Sequence, residues 1–84
     1  MVLSQDVRET LKSVAALSET IDGIGDDDNL FDKGLDSFGS VQLMLALEER
    51  YDIEFPDNLL NRRSFSTIRI IGETVNKLTL SAAA

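Results

Sequence analysis

The sequence predicts a small all-α domain: a four-helix bundle of three main helices and one short helix, with a long loop between helices one and two. Apolar residues recur at helical spacing in three segments, and no segment alternates polar and apolar residues as a half-exposed strand does. With 84 residues, 43% of them hydrophobic, the chain can fill one compact core. We expect a single domain over residues 1–80 and a disordered tail over residues 81–84.

The first helix is predicted from five apolar residues at helical spacing near the N-terminus. Ser4 is a candidate N-cap, and Asp6 falls in the first turn, where negative charge suits the helix dipole. From Glu19 to Asp36 the periodicity disappears among glycines and aspartates, which predicts the long loop. The apolar positions are Leu3, Val7, Leu11, Val14 and Leu17 in the helix, and Ile21, Ile24, Leu30 and Phe31 in the loop, where they are expected to hold it on the core.

The second helix is predicted from about Ser37 to Tyr51, and it has two apolar faces. One face is suited to the core, and the other points well away from it. Either this helix is central in the bundle or its second face is a docking surface, and the pattern leaves both possibilities open. The first face consists of Leu43, Met44, Leu47 and Tyr51, and the second of Phe38, Val41 and Leu45.

The rest of the chain is organised around Pro56. The residue before a proline is pushed out of the helical region, so the second helix ends before it. Because proline is tolerated at a first helical position, a short third helix is predicted over Asp57 to Asn61. The last helix is predicted to begin near Ser66, a good N-cap. Its apolar side consists of Ile68, Ile71, Val75 and Leu78.

Charge and composition exclude several classes of function. The 15 acidic and 8 basic residues give a formal net charge of -7, so we expect neither nucleic acid nor a membrane surface as a partner. There is no cysteine and no histidine, and we expect no catalytic machinery and no bound metal. With no signal-peptide pattern and no apolar stretch of bilayer length, the expected location is the cytoplasm. The chain is also expected to be a monomer.

The informative segment is Gly34 to Phe38, where a glycine turn delivers Ser37 to the start of a helix. A group attached to this serine would place its phosphate beside unsatisfied backbone N–H groups and the positive end of the helix dipole. The same pattern also suits a plain N-cap serine. Local geometry alone leaves the two interpretations open.

A close resemblance to acyl carrier proteins extends over nearly the whole chain. By that resemblance, Ser37 is the attachment point for a 4'-phosphopantetheine arm that a phosphopantetheinyl transferase takes from coenzyme A, and Asp36 is important for the transferase and its metal. The resemblance rests on Gly34-Leu35-Asp36-Ser37, on Val41, Leu43 and Ala46-Leu47-Glu48-Glu49 in the following helix, and on Ile53-Glu54-Phe55-Pro56.

Within that family, the run Asp52 to Phe65 looks like the stand-alone aminoacyl carrier proteins. Carriers of fatty acid synthesis usually present acidic residues where this chain has Gly39 and Gln42, and they are commonly acidic where it has Asn61-Arg62-Arg63. The resemblance implies loading with a small amino acid, such as glycine or alanine, by an ATP-dependent ligase resembling class II seryl-tRNA synthetases. Such a ligase forms an aminoacyl-adenylate and then passes the amino acid to the thiol of the arm.

The docking residues predicted for such partners combine the second apolar face of the second helix with basic and acidic positions. A carrier of fatty acid or polyketide synthesis, handled by acyl-transfer enzymes, stays an alternative. So does a helical interaction module that carries no modification and would keep its function after Ser37→Ala. The predicted docking residues are Phe38, Val41, Leu45, Glu48, Arg62 and Arg63.

Two further interpretations fail on their own chemistry. A serine hydrolase needs Gly-x-Ser-x-Gly, but Leu35 stands where the first glycine belongs, and without histidine a Ser-His-Asp triad is impossible. A calcium loop starting at Asp26 lacks glycine at its sixth position and glutamate at its twelfth. The run Asp26-Asp27-Asp28 is therefore predicted to be a solvated acidic loop.

Overall fold

The computed structural model describes residues 3–14, 17 and 19–83, with side chains as far as residue 80. The described residues form three α-helices and contain no strand, which confirms the all-α class. Short 3-10 helices occupy parts of the connections. The α-helices are α1 (Ser4–Leu11), α2 (Ser37–Tyr51) and α3 (Ile68–Ala83), and the 3-10 helices are Ile21–Gly23, Asp57–Leu59 and Arg62–Phe65.

Helix α1 is shorter than its apolar pattern predicts, and it is not capped by Ser4. Leu3 is the N-cap residue, and its backbone N–H donates to the Asp6 carboxylate at 2.9 Å. After Leu11 the chain continues in tight turns, in which the Ser13 N–H donates to the Thr10 carbonyl at 3.1 Å and the Val14 N–H to the Leu11 carbonyl at 3.0 Å. The apolar residues beyond the helix still reach the core, since Val14 and Leu17 are buried.

The short helix predicted over Asp57 to Asn61 is found in part, as the 3-10 helix Asp57–Leu59, and not as a fourth α-helix of the described residues. In place of one helix over Asp57 to Asn61, the chain forms two separate 3-10 helices, because Leu60 leaves the helical region and the Asn61 side chain starts a new turn. The side-chain oxygen Oδ1 of Asn61 accepts the Ser64 backbone N–H at 3.0 Å. The segment after Pro56 is therefore a compact irregular connection.

Helix α3 also begins and ends later than predicted. The Thr67 hydroxyl accepts the Ile70 backbone N–H at 3.0 Å and caps the helix, whereas the predicted cap, Ser66, donates its hydroxyl to the Arg63 carbonyl. The helix runs to Ala83, past the predicted start of a tail at residue 81. The domain limit at residue 80 stays a prediction. No helix in the described ranges has the length and apolar character needed to cross a membrane.

The core lies between the three helices and the loop that joins α1 to α2. Helices α1 and α2 are antiparallel, since Arg50 near the end of α2 contacts Asp6 and Thr10, while Gly39 near its start approaches Val14. Helix α3 packs against α1. The buried apolar residues are Val7, Leu11, Val14, Leu17, Ile21, Ile24, Leu30, Leu35, Leu43, Leu47, Ile53, Phe55, Phe65, Ile68, Ile71 and Val75.

Two ion pairs attach the acidic part of the long loop to helices α1 and α3. The Arg8 guanidinium lies 2.7 Å from the Asp26 carboxylate and lowers the pKa of that aspartate. Arg69 lies 2.6 Å from Asp27 and lowers its pKa in the same way. A backbone bond of 2.7 Å from the Leu30 N–H to the Ser66 carbonyl adds a third attachment. The loop that leads to Ser37 is thus held on the bundle, although Asp27 itself is exposed as predicted.

Candidate functional site

Ser37 is the first residue of α2, and its side chain is exposed. Gly34 precedes it with φ 118°, a backbone conformation that residues with a Cβ rarely adopt. The next residue, Leu35, is buried and donates its N–H to the Leu30 carbonyl at 3.0 Å. The turn and the buried leucine together fix where α2 begins, and they present Ser37 to solvent.

Asp36 is the N-cap of α2, a role that the sequence analysis did not assign to it. Its backbone is extended, and its carboxylate oxygen Oδ1 accepts the Gly39 backbone N–H at 2.6 Å. Its backbone carbonyl accepts the Ser40 N–H at 2.9 Å. Since Asp36 performs the capping, Ser37 is not the cap, and its hydroxyl is left available for chemistry.

Gly39 has a structural role at this site that sequence reasoning missed. A Cβ built on it would lie 2.9 Å from Leu35 Cδ1 and 3.1 Å from Asp36 Oδ1, both tighter than ordinary contacts. The glycine is buried, so the neighbouring side chains have little space to move aside. The absence of a side chain at position 39 lets the cap and the buried leucine fit against the helix.

The electrostatics at the start of α2 suit an attached anion. No acidic side chain lies in the first turn of the helix. The N-terminal backbone N–H groups and the helix dipole place a partial positive charge there, which stabilises a phosphate. Apart from the Asp36 carboxylate at the cap, no negative charge in the first turn of α2 repels a phosphodiester on Ser37.

An open cleft of about 330 Å³ is lined by Ser37 and lies between α2 and the segment before α3. Its walls are mainly apolar, and the hydroxyls of Ser37 and Ser40 supply polar groups. The Arg62 guanidinium carbon lies 4.2 Å from the centroid of the Phe31 ring, a cation–π contact at the cleft. The lining residues are Phe31, Ser37, Ser40, Val41, Met44, Leu60, Asn61, Arg62 and Phe65.

The second apolar face of α2 is exposed, which answers the question that its pattern left open. Phe38, Val41 and Leu45 are 72%, 50% and 55% exposed, so this helix is not surrounded by the bundle. Glu48 is half-buried, and its carboxylate accepts the Phe55 backbone N–H at 3.0 Å. The exposed stripe is available to a partner, whereas Glu48 already has a structural contact; docking by any of these residues stays a prediction.

These features fit a phosphopantetheine arm. The group needs an accessible hydroxyl for its ester, a place for the phosphate and an apolar surface for its chain. Ser37 supplies the hydroxyl, the start of α2 favours the phosphate, and the cleft supplies the apolar surface. The fold and the site together define a small helical carrier.

Comparison with known proteins agrees with this class. Residues 5–75 match the family described as phosphopantetheine attachment site. The chain is 51% identical over 73 residues to an aminoacyl carrier protein of Agrobacterium fabrum, covering 87% of this chain and 88% of that one. It is 43% identical over 53 residues to a D-alanyl carrier protein of Lactobacillus acidophilus, covering 62% and 67% of the two chains.

A solved structure shows the same fold. It contains an engineered Bradyrhizobium japonicum glycine:[carrier protein] ligase in complex with a carrier protein from Agrobacterium tumefaciens and ATP, and its match to this chain has a TM-score of 0.82 at 50% identity. The match covers 88% of this chain and 96% of that one. The chain belongs to the phosphopantetheine attachment-site family, and its cofactor is a covalently attached 4'-phosphopantetheine.

Proposed function

We propose that this chain is an aminoacyl carrier protein whose Ser37 bears the 4'-phosphopantetheine arm. In this proposal a small amino acid, such as glycine or alanine, is held as a thioester at the end of the arm. An ATP-dependent amino acid:carrier protein ligase loads it, and the carrier contributes no catalytic residue of its own. The setting we propose is the cytoplasm, with the carrier as a monomer.

The observation that carries this proposal is the exposed Ser37 at the start of α2, with Asp36 performing the capping beside it. A serine needed only as a cap would have its hydroxyl directed at the helix backbone. Support for the aminoacyl type comes from the relatives, since the similar proteins include an aminoacyl carrier and D-alanyl carriers. The structural neighbour seen with a glycine:[carrier protein] ligase agrees with a small cargo.

The proposed modification consumes one coenzyme A for each carrier. The Ser37 hydroxyl attacks the phosphorus that bears the pantetheine, the phosphoanhydride bond of coenzyme A breaks, and adenosine 3',5'-bisphosphate leaves. The hydroxyl proton passes to a base supplied by the transferase. Asp36 lies next to this hydroxyl, so it is placed to contact the transferase or its metal.

The proposed loading takes place in two steps on the ligase. The amino acid and ATP give an aminoacyl-adenylate and pyrophosphate, and the thiol of the arm then attacks the adenylate to give the thioester and AMP. A thiol with an ordinary pKa of about 8.5 is nucleophilic enough once the ligase positions it. The absence of histidine and cysteine from the chain is compatible with a carrier that provides neither base nor competing thiol.

The stripe formed by Phe38, Val41 and Leu45 is the proposed docking surface for the ligase. These three side chains are exposed and lie on the helix that starts at the modified serine. A bound enzyme would therefore contact the carrier close to the root of the arm. Arg63 is exposed and follows the cleft residue Arg62 in the sequence. In this proposal it also contacts the ligase, with a positive charge on a chain of formal net charge -7.

The deciding experiment is the intact mass of the carrier after incubation with coenzyme A and a broad-specificity phosphopantetheinyl transferase. The wild type is expected to gain one phosphopantetheine, and Ser37→Ala is expected to gain none. Ser40→Ala is the matched control, because Ser40 is one turn away on the same cleft, and we expect it to be modified as the wild type is.

Protein isolated gently from its native cells tests the cargo. A further increment equal to one small amino acid supports the aminoacyl type, whereas a longer acyl chain would identify a carrier of fatty acid or polyketide synthesis. If the wild type gains no mass, or if Ser37→Ala gains as much as the wild type, the assignment of the arm to Ser37 is wrong. An unmodified helical interaction module would then be the remaining candidate.

A further inference from the structure

Arg62 and Arg63 differ from the other arginines of this chain in their charge partners. Arg8, Arg50 and Arg69 form ion pairs with acidic side chains at nitrogen–oxygen distances of 2.7, 3.4 and 2.6 Å. Among the described residues, neither Arg62 nor Arg63 takes part in an ion pair. The described lysines, Lys12, Lys33 and Lys77, also form no ion pair, so the missing carboxylate partner does not by itself distinguish Arg62 and Arg63.

Of these two, only Arg62 faces the cleft that Ser37 lines. Its guanidinium lies over the Phe31 ring, 4.2 Å from the centroid, and it lines the same cleft as Ser37 and Ser40. Arg62 and Arg63 are both exposed, but Arg63 does not line the cleft. Stacking on an aromatic ring holds the guanidinium by its face and leaves the N–H groups at its edge free to donate.

None of the described residues that line the cleft is acidic, so none can satisfy this cation. A guanidinium matches a phosphate through two parallel N–H···O bonds, a geometry that a lysine does not reproduce. The modification at Ser37 places one phosphodiester on a residue that lines this cleft. We propose that Arg62 binds the phosphodiester of the arm on Ser37; this inference rests on the proposed function.

A bound phosphate would direct the arm along the cleft rather than out into solvent. The apolar side chains of Val41, Met44 and Leu60 line the path that the arm then follows. Arg62 is thus a positioning residue that acts on the root of the arm within the same molecule. Arg63 keeps the docking role proposed above.

The test compares four holo proteins made with coenzyme A and a broad-specificity transferase: wild type, Arg62→Gln, Arg62→Lys and Arg63→Gln. Intact mass first establishes that each carries one phosphopantetheine. The readouts are the ³¹P chemical shift of the phosphodiester and the change in backbone amide shifts between apo and holo forms at Phe31, Val41 and Phe65. Neither readout depends on a ligase.

We expect the wild type and Arg63→Gln to show the same apo-to-holo changes at the cleft. In Arg62→Gln these shift changes should fall by roughly two- to fivefold. A fall of that size is expected when the loss of an exposed ion pair reduces the population of arms bound in the cleft. Arg62→Lys should restore part of the effect, since it keeps the charge without the planar donor pair. Raising the ionic strength to about 1 M, where the Debye length is about 3 Å, should weaken the wild-type changes.

Equal changes in Arg62→Gln and wild type, or no change at the cleft in wild-type holo protein, would overturn this inference while leaving the carrier function intact. Absence of the phosphopantetheine increment from the wild type would instead overturn the proposed function, and this inference with it. A spectrum of apo Arg62→Gln that matches apo wild type outside the cleft shows that the variant is folded.

Discussion

Asp36 has two roles that one pair of substitutions can separate: it caps α2, and it is proposed to be recognised by the transferase. The capping bond is short, 2.6 Å from Oδ1 to the Gly39 nitrogen. Asp36→Ala removes it and is expected to cost about 1 kcal/mol of the free energy of unfolding. For a domain of this size that corresponds to a fall in Tm of roughly 4–8 °C.

Asp36→Asn keeps an oxygen that can accept the Gly39 N–H, and asparagine caps helices about as well as aspartate. Its loss of stability is limited to the interaction of the charge with the helix dipole, about 0.3–1 kcal/mol. The assay measures thermal unfolding and the initial rate of phosphopantetheine transfer for wild type, Asp36→Asn and Asp36→Ala. If the carboxylate charge is recognised, both variants lose at least about tenfold in rate, although Asp36→Asn stays nearly as stable as wild type.

A different result would identify Asp36 as a cap and nothing more. In that case Asp36→Asn would be modified at the wild-type rate, and Asp36→Ala would be slowed only as far as its helix start is frayed. Measuring the rate well below the Tm of each variant removes the effect of global unfolding. Transfer that is equally fast in all three proteins would refute recognition of Asp36 by the transferase.

Three further predictions follow from the packing and the charges. Gly39→Ala should lower the free energy of unfolding, measured by chemical denaturation, by about 1–3 kcal/mol, because the added Cβ meets Leu35 and the Asp36 cap. This loss is expected although alanine has the better helix propensity. In the control Gly72→Ala the nearest contact of the Cβ is at 3.8 Å, so that variant should be neutral or stabilising. Asp26→Asn should be less stable than wild type at neutral pH, because Arg8 stabilises the charged form of Asp26. The difference in stability should vanish as the pH falls below 3.8 and through the lowered pKa of Asp26 in the folded protein. A difference that does not change with pH would contradict the ion pair as its cause. Arg63→Glu should raise the KM of the ligase for the carrier several-fold. The control Lys77→Glu, on α3, makes the same change in net charge and should leave that KM unchanged. Equal effects of the two substitutions would indicate a response to net charge alone.

Most of the helical architecture follows from local pattern, and the irregular connections do not. Helix α2 begins and ends as its periodicity predicts, whereas α1 stops early and the segment after Pro56 forms 3-10 helices. Where α1 stops, the backbone changes to bonds of three-residue spacing, such as the Ser13 N–H to the Thr10 carbonyl, and after Pro56 the Asn61 side-chain oxygen Oδ1 accepts the Ser64 N–H. Such bonds compete with the helix on nearly equal terms, so periodicity cannot predict which of them forms.

By itself, the sequence determined the all-α class, the position of Ser37 at the start of a helix, and the resemblance to carriers, because helical periodicity and the Asp-Ser motif are local features of the chain. Only the tertiary structure decided that Asp36 caps α2, that Gly39 is required by the packing of Leu35, and that Phe38 and Leu45 are exposed. It also separated Arg62, which lies over Phe31 beside the cleft, from its neighbour in sequence. The contact of Arg62 with Phe31 joins residues that are distant along the chain. The contacts of Gly39 with Asp36 and Leu35 are local, but they depend on where α2 begins and on the packing of Leu35 in the core.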